Sequence, residues 1–397
     1  MRFGKIALLS ALSLGTQAYA QSLAQTLDRS WAPPSWPLGQ AELRLNGEAG
    51  GALFDPDQPG WRGVQASGAL SLMPQVKRSY DSGLLLALDG TFTAADPLSR
   101  GRYDGDVIER LAGSAQTGLG KLEVGITDGA GYGLAVTGPR IDPGVSLNDP
   151  RSTFFRDPGS HRAVTQMFAL RTQVGASSNY AKIAYTSPSL FGAQVALSFT
   201  PSEGKQLPFL NAGPHLPGRQ VEFWEAALRY ETELGPVSLA GYGAVSESRA
   251  EHKRPGQEGT SDLGTGIKAD YPLDAETSLS LGGAYRQSNA YGFDVNQTWQ
   301  AGTTRVGHIS AAVAHDSWMA GLEYGTGTAD AVSNLPRLGL NGMEASIGYK
   351  LSDSIHVSSG WQHLSYSQQA PGLFFNGARQ LKMDAVYLHL TLNTSQE

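Results

Sequence analysis

The sequence predicts an all-β fold, a transmembrane up-and-down antiparallel β-barrel of about 16 strands. Three observations carry this reading. Short segments alternate apolar and polar residues, their connections switch between three to five residues and much longer stretches, and the chain opens on an export signal. Hairpins of a closed membrane barrel have tight turns at one rim and long loops at the other, which produces that rhythm.

Arg2 and Lys5 precede an apolar run from Ile6 to Leu14, followed by Gly15 and the small-residue ending Ala18-Tyr19-Ala20. This is the layout of a secretory signal peptide over residues 1–20, cut after Ala20. Its apolar run of roughly ten residues is too short for a membrane helix, which needs about 20, and no later stretch comes close to that length. With 40% hydrophobic residues the chain resembles a secreted soluble protein by helix criteria. A barrel escapes those criteria because only every second strand residue faces lipid. There is no cysteine, so disulfides do not stabilise the exported chain, and a closed sheet without edges can do so instead. The 49 glycines are interspersed rather than gathered into linkers. Removing Arg2 and Lys5 leaves 28 basic against 36 acidic residues, a formal charge of −8, which argues against a nucleic-acid partner.

After the signal, residues 21–39 form a polar lead with Pro33, Pro34 and Pro37 and no alternation, expected on the periplasmic side. The barrel is expected over 40–393, with a short tail at 394–397. From Ala41 the alternation is plain: Ala41, Leu43, Leu45 and Gly47 on one face, Glu42, Arg44, Asn46 and Glu48 on the other. Segments at Ala66–Arg78 and Gly83–Ala94 flank a short turn and are followed by the polar loop DPLSRGRYDGD. Val107–Gln116 and Gly120–Thr127 flank the next turn, and then comes the longest connection, residues 128–178.

Beyond it, Ala181–Thr186 and Ala193–Phe199 surround the turn SPSLF. Further pairs are Gln220–Thr232 with Val237–Glu247, Asp262–Tyr271 with Thr277–Gln287, Arg305–Ala314 with Trp318–Thr326, and Gly342–Leu351 with Ile355–Tyr366. Met383–Leu392 is the last strand. Seven short turns then separate eight longer loops, and an even strand count puts both chain ends at the short-turn rim. Tyr230, Tyr271, Tyr285, Trp318 and Tyr324 stand near segment ends, where interfacial girdles lie. A soluble sandwich or propeller would give similar single strands, but not the regular long/short alternation.

The stretch NYAKIAYTSPSLFGAQVALSFTPSEGK, Asn179 to Lys205, resembles a hairpin of Gram-negative outer-membrane porins: a strand, a turn with S/T-P, and an FG-x-Q strand. LGKLEVGITDGAGYGL, Leu119 to Leu134, is similar to the strand and glycine-rich start of the constriction loop in alphaproteobacterial-type porins. The resemblance implies a barrel of 16 strands whose long third extracellular loop folds inward and narrows a water-filled channel. It implies a homotrimer in the bacterial outer membrane, among lipid and lipopolysaccharide, that passes small hydrophilic solutes and ions by passive diffusion. No enzyme activity and no cofactor or metal are implied. A barrel of that size leaves an aqueous lumen, whereas about eight strands would be filled by side chains. The ending NTSQE departs from the family, which usually ends on an aromatic residue that marks the chain for assembly.

On this resemblance the 128–178 loop is the functional element, and its constriction candidates are Arg140, Asp142, Asp149, Arg151, Arg156, Asp157 and Arg162, with Arg171 beside them. Pore-wall candidates, from the alternation, are Arg44, Lys121, Lys182, Arg229 and Lys268. Charges in a narrow wet constriction select ions, while the same charges on an outer loop are screened.

Other chemistries are weaker. Gly125, Gly129, Gly131 and Gly133 lack the ending and spacing of a nucleotide loop and read as turn glycines. His308-Ile309-Ser310 resembles the His-x-Ser element of outer-membrane phospholipases, but Ala311-Ala312 stands where that family has Asn-Gly. His356, His363 and His389 lack metal-ligand spacing. A solute-specific channel or a surface adhesin remain as alternatives.

Overall fold

The computed structural model describes residues 32–58, 60–61, 63–95, 108–142, 144–148, 154–158, 164, 169–177, 180–203, 219–251, 253, 257–289, 302–331, 337–369 and 375–394. The signal peptide, most of the lead, the DPLSRGRYDGD loop and residues 395–397 lie outside them.

A four-residue strand, Ser35–Leu38 (β1), precedes Ala41–Asp57 (β2), Gln65–Ser79 (β3), Leu85–Ala95 (β4), Ile108–Thr117 (β5) and Gly120–Thr127 (β6). One helical turn, Ala130–Gly133 (α1), lies in the long connection. Then follow Tyr180–Thr186 (β7), Ala193–Ser202 (β8), Gln220–Leu234 (β9), Val237–Ala250 (β10), Ser261–Pro272 (β11) and Thr277–Ser288 (β12). Thr304–His315 (β13), Trp318–Ala329 (β14), Leu338–Ser352 (β15), Ile355–Gln368 (β16) and Gln380–Asn393 (β17) complete the wall. From β2 onward each strand pairs antiparallel with its successor, and β17 returns to β2 through Asp384↔Asp57 to Asn393↔Glu48. The result is a closed barrel of sixteen strands, β2 to β17.

Side-chain parity divides the wall as the alternation requires. Leu197, Leu228, Ile267, Ile309 and Leu322 point outward and are exposed, as an apolar lipid-facing band must be. Outward aromatics mark the rims: Trp318 packs on Tyr349 at 4.5 Å beside the short turns, and Phe199 packs on Trp224 at 4.5 Å toward the long loops.

Two features depart from expectation. The lead contains a strand, β1, because β17 covers the edge of β2 only from Glu48 onward and leaves Ala41–Arg44 unpaired. β1 occupies that edge after a tight reversal at Gly39, whose φ of 65° suits glycine, and the Leu45 amide donates to the Pro34 carbonyl at 3.0 Å. Pro37 is tolerated because this strand is an edge. Trp36 and Pro37 break the polar/apolar period and so hide the strand from a pattern search.

The second departure is polarity. In the loop-side halves of β15, β17 and β2 the inward residues are apolar: Leu338 and Leu340, Leu381 and Met383, and Phe54, all buried. Expected strand starts at Gly342 and Met383 therefore fall short of the observed Leu338 and Gln380. These inward residues meet the long connection, which fills that side of the lumen.

Ile309 lies mid-strand on the lipid face and is 60% exposed. Ile309→Arg is expected to cost about 2–4 kcal/mol of folding free energy in lipid. Arginine at the lumen-facing Ser238 is expected to change it by less than about 1 kcal/mol, because that position lines an open cavity. Denaturant titration of refolding into vesicles compares the two.

The loop-lined channel as candidate functional site

Strands β6 and β7 have eight and seven residues, against 12 to 15 for β9 to β16, so the connection leaves and rejoins the wall within the barrel. Its glycines make the departure possible. A Cβ at Gly129 would overlap the Glu225 carboxylate, and one at Gly131 would stand 2.8 Å from Val174.

A backbone brought into the lumen must find hydrogen-bond partners there. At the base of the loop they come from Glu225 on β9, which accepts from the Gly131 amide at 3.3 Å and from the Ser177 amide at 3.3 Å and hydroxyl at 2.8 Å. Ser198 and Ser246 also donate to it. Lys182, fully buried on β7, donates its Nζ to the carbonyls of Thr127, at 2.6 Å, and Ser177. Glu225 and Lys182 thus hold both stems of the loop. Tyr242 adds a bridge, donating to the Gly131 carbonyl at 2.9 Å and accepting from the Val174 amide at 3.4 Å.

Farther along, Ser310 donates to the Pro139 carbonyl at 2.9 Å. Asp142 is fully buried: one oxygen accepts from the Gly144 amide at 2.6 Å, His389 Nδ1 lies 3.0 and 2.9 Å from its two oxygens, and Ser358 donates to it. Burial alone would push the Asp142 carboxyl up. The hydrogen bond and charge of His389, with Ser358 and the Gly144 amide, outweigh burial and hold it below the usual carboxylate range. Glu323 on β14 accepts from the Ser146 hydroxyl at 2.8 Å and the Leu147 amide at 3.0 Å, with His308 Nε2 at 3.1 Å. Toward the outer rim Phe154 packs between Phe54, at 4.8 Å, and Tyr387, at 5.1 Å.

The candidate charges separate accordingly. Asp142 is buried against the wall and Asp157 against the connection between β16 and β17, accepting from the Phe375 amide at 2.8 Å. Arg156 exchanges hydrogen bonds with Gln58 and lies over the Trp61 ring at 4.5 Å. Arg171 lies over Tyr132 at 5.2 Å. Asp149, Arg151 and Arg162 lie outside the described residues. Arg140 lines a cavity of about 730 Å³ together with Arg229 and Lys268. Lys121 lines another, of about 450 Å³, with Arg110 and Glu123. Arg44 lies near the short-turn end of β2, 3.7 Å from Glu42.

Wall cations stand beside carboxylates two positions along the same strand: Arg229 pairs with Glu231, Lys268 with Asp270 at 3.0 Å, and Lys121 with Glu123 at 3.0 Å. Alternation places Glu225, Glu323, Glu344, His308 and His389 inside, but only the course of the loop turns them into anchors. His308 and Ser310, the enzyme-like pair, are both spent on anchoring: the Ser310 proton goes to a loop carbonyl and His308 to Glu323.

A closed antiparallel membrane barrel with an inserted, anchored loop and charged cavities beside it defines an outer-membrane channel. The family model for Gram-negative porins matches residues 77–369, and the chain belongs to that family. Among solved structures, OmpF of Salmonella typhi, in complex with daunomycin, is similar with a TM-score of 0.59 at 11% identity, covering 90% of this chain and 100% of that one. The anion-selective porin of Comamonas acidovorans gives 0.56 at 11% identity, covering 89% and 99%. OmpT of Vibrio cholerae, in a trimer form, gives 0.52 at 10%, covering 88% and 99%. No curated protein matches the sequence. The protein is thus a porin of the bacterial outer membrane, with the family and fold of a channel.

Glu225→Ala leaves the Gly131 and Ser177 amides without their acceptor, at about 1–3 kcal/mol for each unpaired group. Limited proteolysis should then cut within residues 128–177 while the barrel stays intact. The lowered Asp142 pKa makes its contribution fully present above the ordinary value of about 3.9 and lost as pH falls through the lowered one. Loop-related current noise should therefore stay flat from pH 7 to about 4 and rise only in stronger acid. Asp142→Ala should show the acid level of noise at pH 7, as single-channel recording can check.

Proposed function

We propose that this porin is a general diffusion channel, passing small hydrophilic solutes and ions down their gradients without a covalent step or an obligatory cofactor. The observation that carries this reading is the inserted loop fastened to the wall, with charge-lined cavities left beside it. Such an opening selects by size and by field.

Within the constriction, Arg140 is the loop charge that meets the solute, opposite the wall cations Arg229 and Lys268. Lys121 and Arg44 act from other parts of the wall, while Lys182 acts through the loop. Asp142 and Asp157 serve as anchors, and Arg156 holds the loop to the outer rim. Because the wall cations stand beside carboxylates, the preference for either sign of ion is modest. The protein is exported by its signal peptide, residues 1–20, and assembles as a homotrimer amid lipid and lipopolysaccharide. The trimer form of the Vibrio cholerae relative supports that assembly. So does an outward-facing polar group on β16 and β17, where Asp384 accepts from Trp361 Nε1 at 3.1 Å and has His363 Nδ1 at 3.0 Å.

In planar bilayers the refolded mature protein should give large conductance steps that close in threes, with a small reversal potential under a salt gradient. A folded barrel that stays silent would refute the channel reading.

A further inference from the structure

At the short-turn rim, away from the loop and its cavities, two neighbouring hairpins bring metal-ligating side chains together. The reversal between β11 and β12 is held by Asp274, which accepts from the Glu276 amide at 2.8 Å and the Thr277 amide at 2.7 Å. In the reversal between β13 and β14, Asp316 takes the left-handed conformation, φ 51°, that a two-residue hairpin loop demands. Register sets Thr277 opposite His315, and the Asp316 amide donates to the Glu276 carbonyl at 3.1 Å, so the two turns are tied side by side. One imidazole nitrogen of His315 and one carboxylate oxygen from each of Glu276 and Asp316 consequently lie within 4.8 Å of one another. The three side chains are exposed, and neither carboxylate has a lysine or arginine partner among the described residues. The Thr277 hydroxyl stands 3.0 Å from His315 Nδ1. An Nδ1–H directed at that oxygen fixes the ring and leaves the Nε2 lone pair on the side of Asp316, 3.9 Å from its Oδ2.

We propose that His315, Glu276 and Asp316 form a binding site for a divalent transition metal, zinc, at the short-turn rim. The two carboxylates cancel the charge of the ion. The imidazole selects zinc over calcium and magnesium, which take oxygen ligands. Three protein ligands leave the fourth tetrahedral position to water. Ligands about 2.1 Å from one zinc ion stand about 3.4 Å apart, so the exposed side chains close on it by small rotations. Thr277 is the positioning residue, holding the imidazole from its far nitrogen. The bound ion clips one hairpin turn to the next and so fastens the rim of the sheet from β11 to β14.

Isothermal titration of the refolded mature protein with zinc should show an equivalent that H315A binds at least about tenfold more weakly, since loss of a residue that only orients a ligand already costs about 10–100-fold. T277V keeps all three ligands, removes the partner of the ring, and should weaken the same equivalent by about tenfold. E276Q/D316N preserves the shape of both turns and should lose it. Calcium at the same concentration should not compete. With free zinc at about a hundred times its dissociation constant, the unfolding equilibrium of the native protein in urea should shift by about a hundredfold, and that of H315A should not. Circular dichroism verifies the sheet in each variant. Zinc uptake unchanged in both H315A and E276Q/D316N would overturn the proposal. So would calcium displacing zinc with equal affinity, which would leave the two turns as an acidic patch only.

Discussion

Hydrocarbon offers a backbone amide nothing to bond with, and every other feature of this porin follows from meeting that constraint. Each strand must have two neighbours, so β17 has to find β2 and the sheet must close. Closure fixes an inside and an outside, and the pleat assigns alternate residues to each. The same demand then returns within the lumen. A loop drawn into the barrel brings its own donors and acceptors, and wherever it lies against the wall these must be answered by wall side chains. Glu225, Lys182, Tyr242, Ser310 and Glu323 answer them.

This explains why the loop side of the lumen differs from an ordinary wet wall. A carboxylate beside loop amides is a hydrogen-bond acceptor with a fixed position, and the residues beyond it can be apolar because water is already displaced. Phe54, Phe154, Leu340 and Tyr387 form a small core inside the barrel, of the kind a soluble domain would bury. The charged cavities lie beside the loop, one against β9 to β11 and the other against β5 to β8.

The fold was legible because alternation is a local signal with a fixed period, and Gly120–Thr127 could be bounded to the residue. It failed where two surfaces exchange polarity. In Leu338–Leu340 and Leu381–Met383 the apolar residues face inward, so the pattern reads as loop until the partner inside is known. The site was less legible for a related reason. Parity tells which wall charge points inward but not what lies there, as for Lys182, and membership of the loop does not separate Asp142 from Arg140. The first two are buried under or within the loop and the third lines a cavity, a distinction set by contacts far apart in the chain.

The small strand β1 has a consequence for how the barrel is sealed. A strand arriving last at an open sheet can slide along its neighbour, and a slip of one residue would turn lipid-facing leucines into the lumen. With Ala41–Arg44 already taken by β1, the edge of β2 offers β17 a berth that begins at Glu48, and Thr394 fastens there by bonding both the amide and the carbonyl of Gly47. The N-terminal hairpin therefore acts as an end stop that sets how far β17 runs along β2.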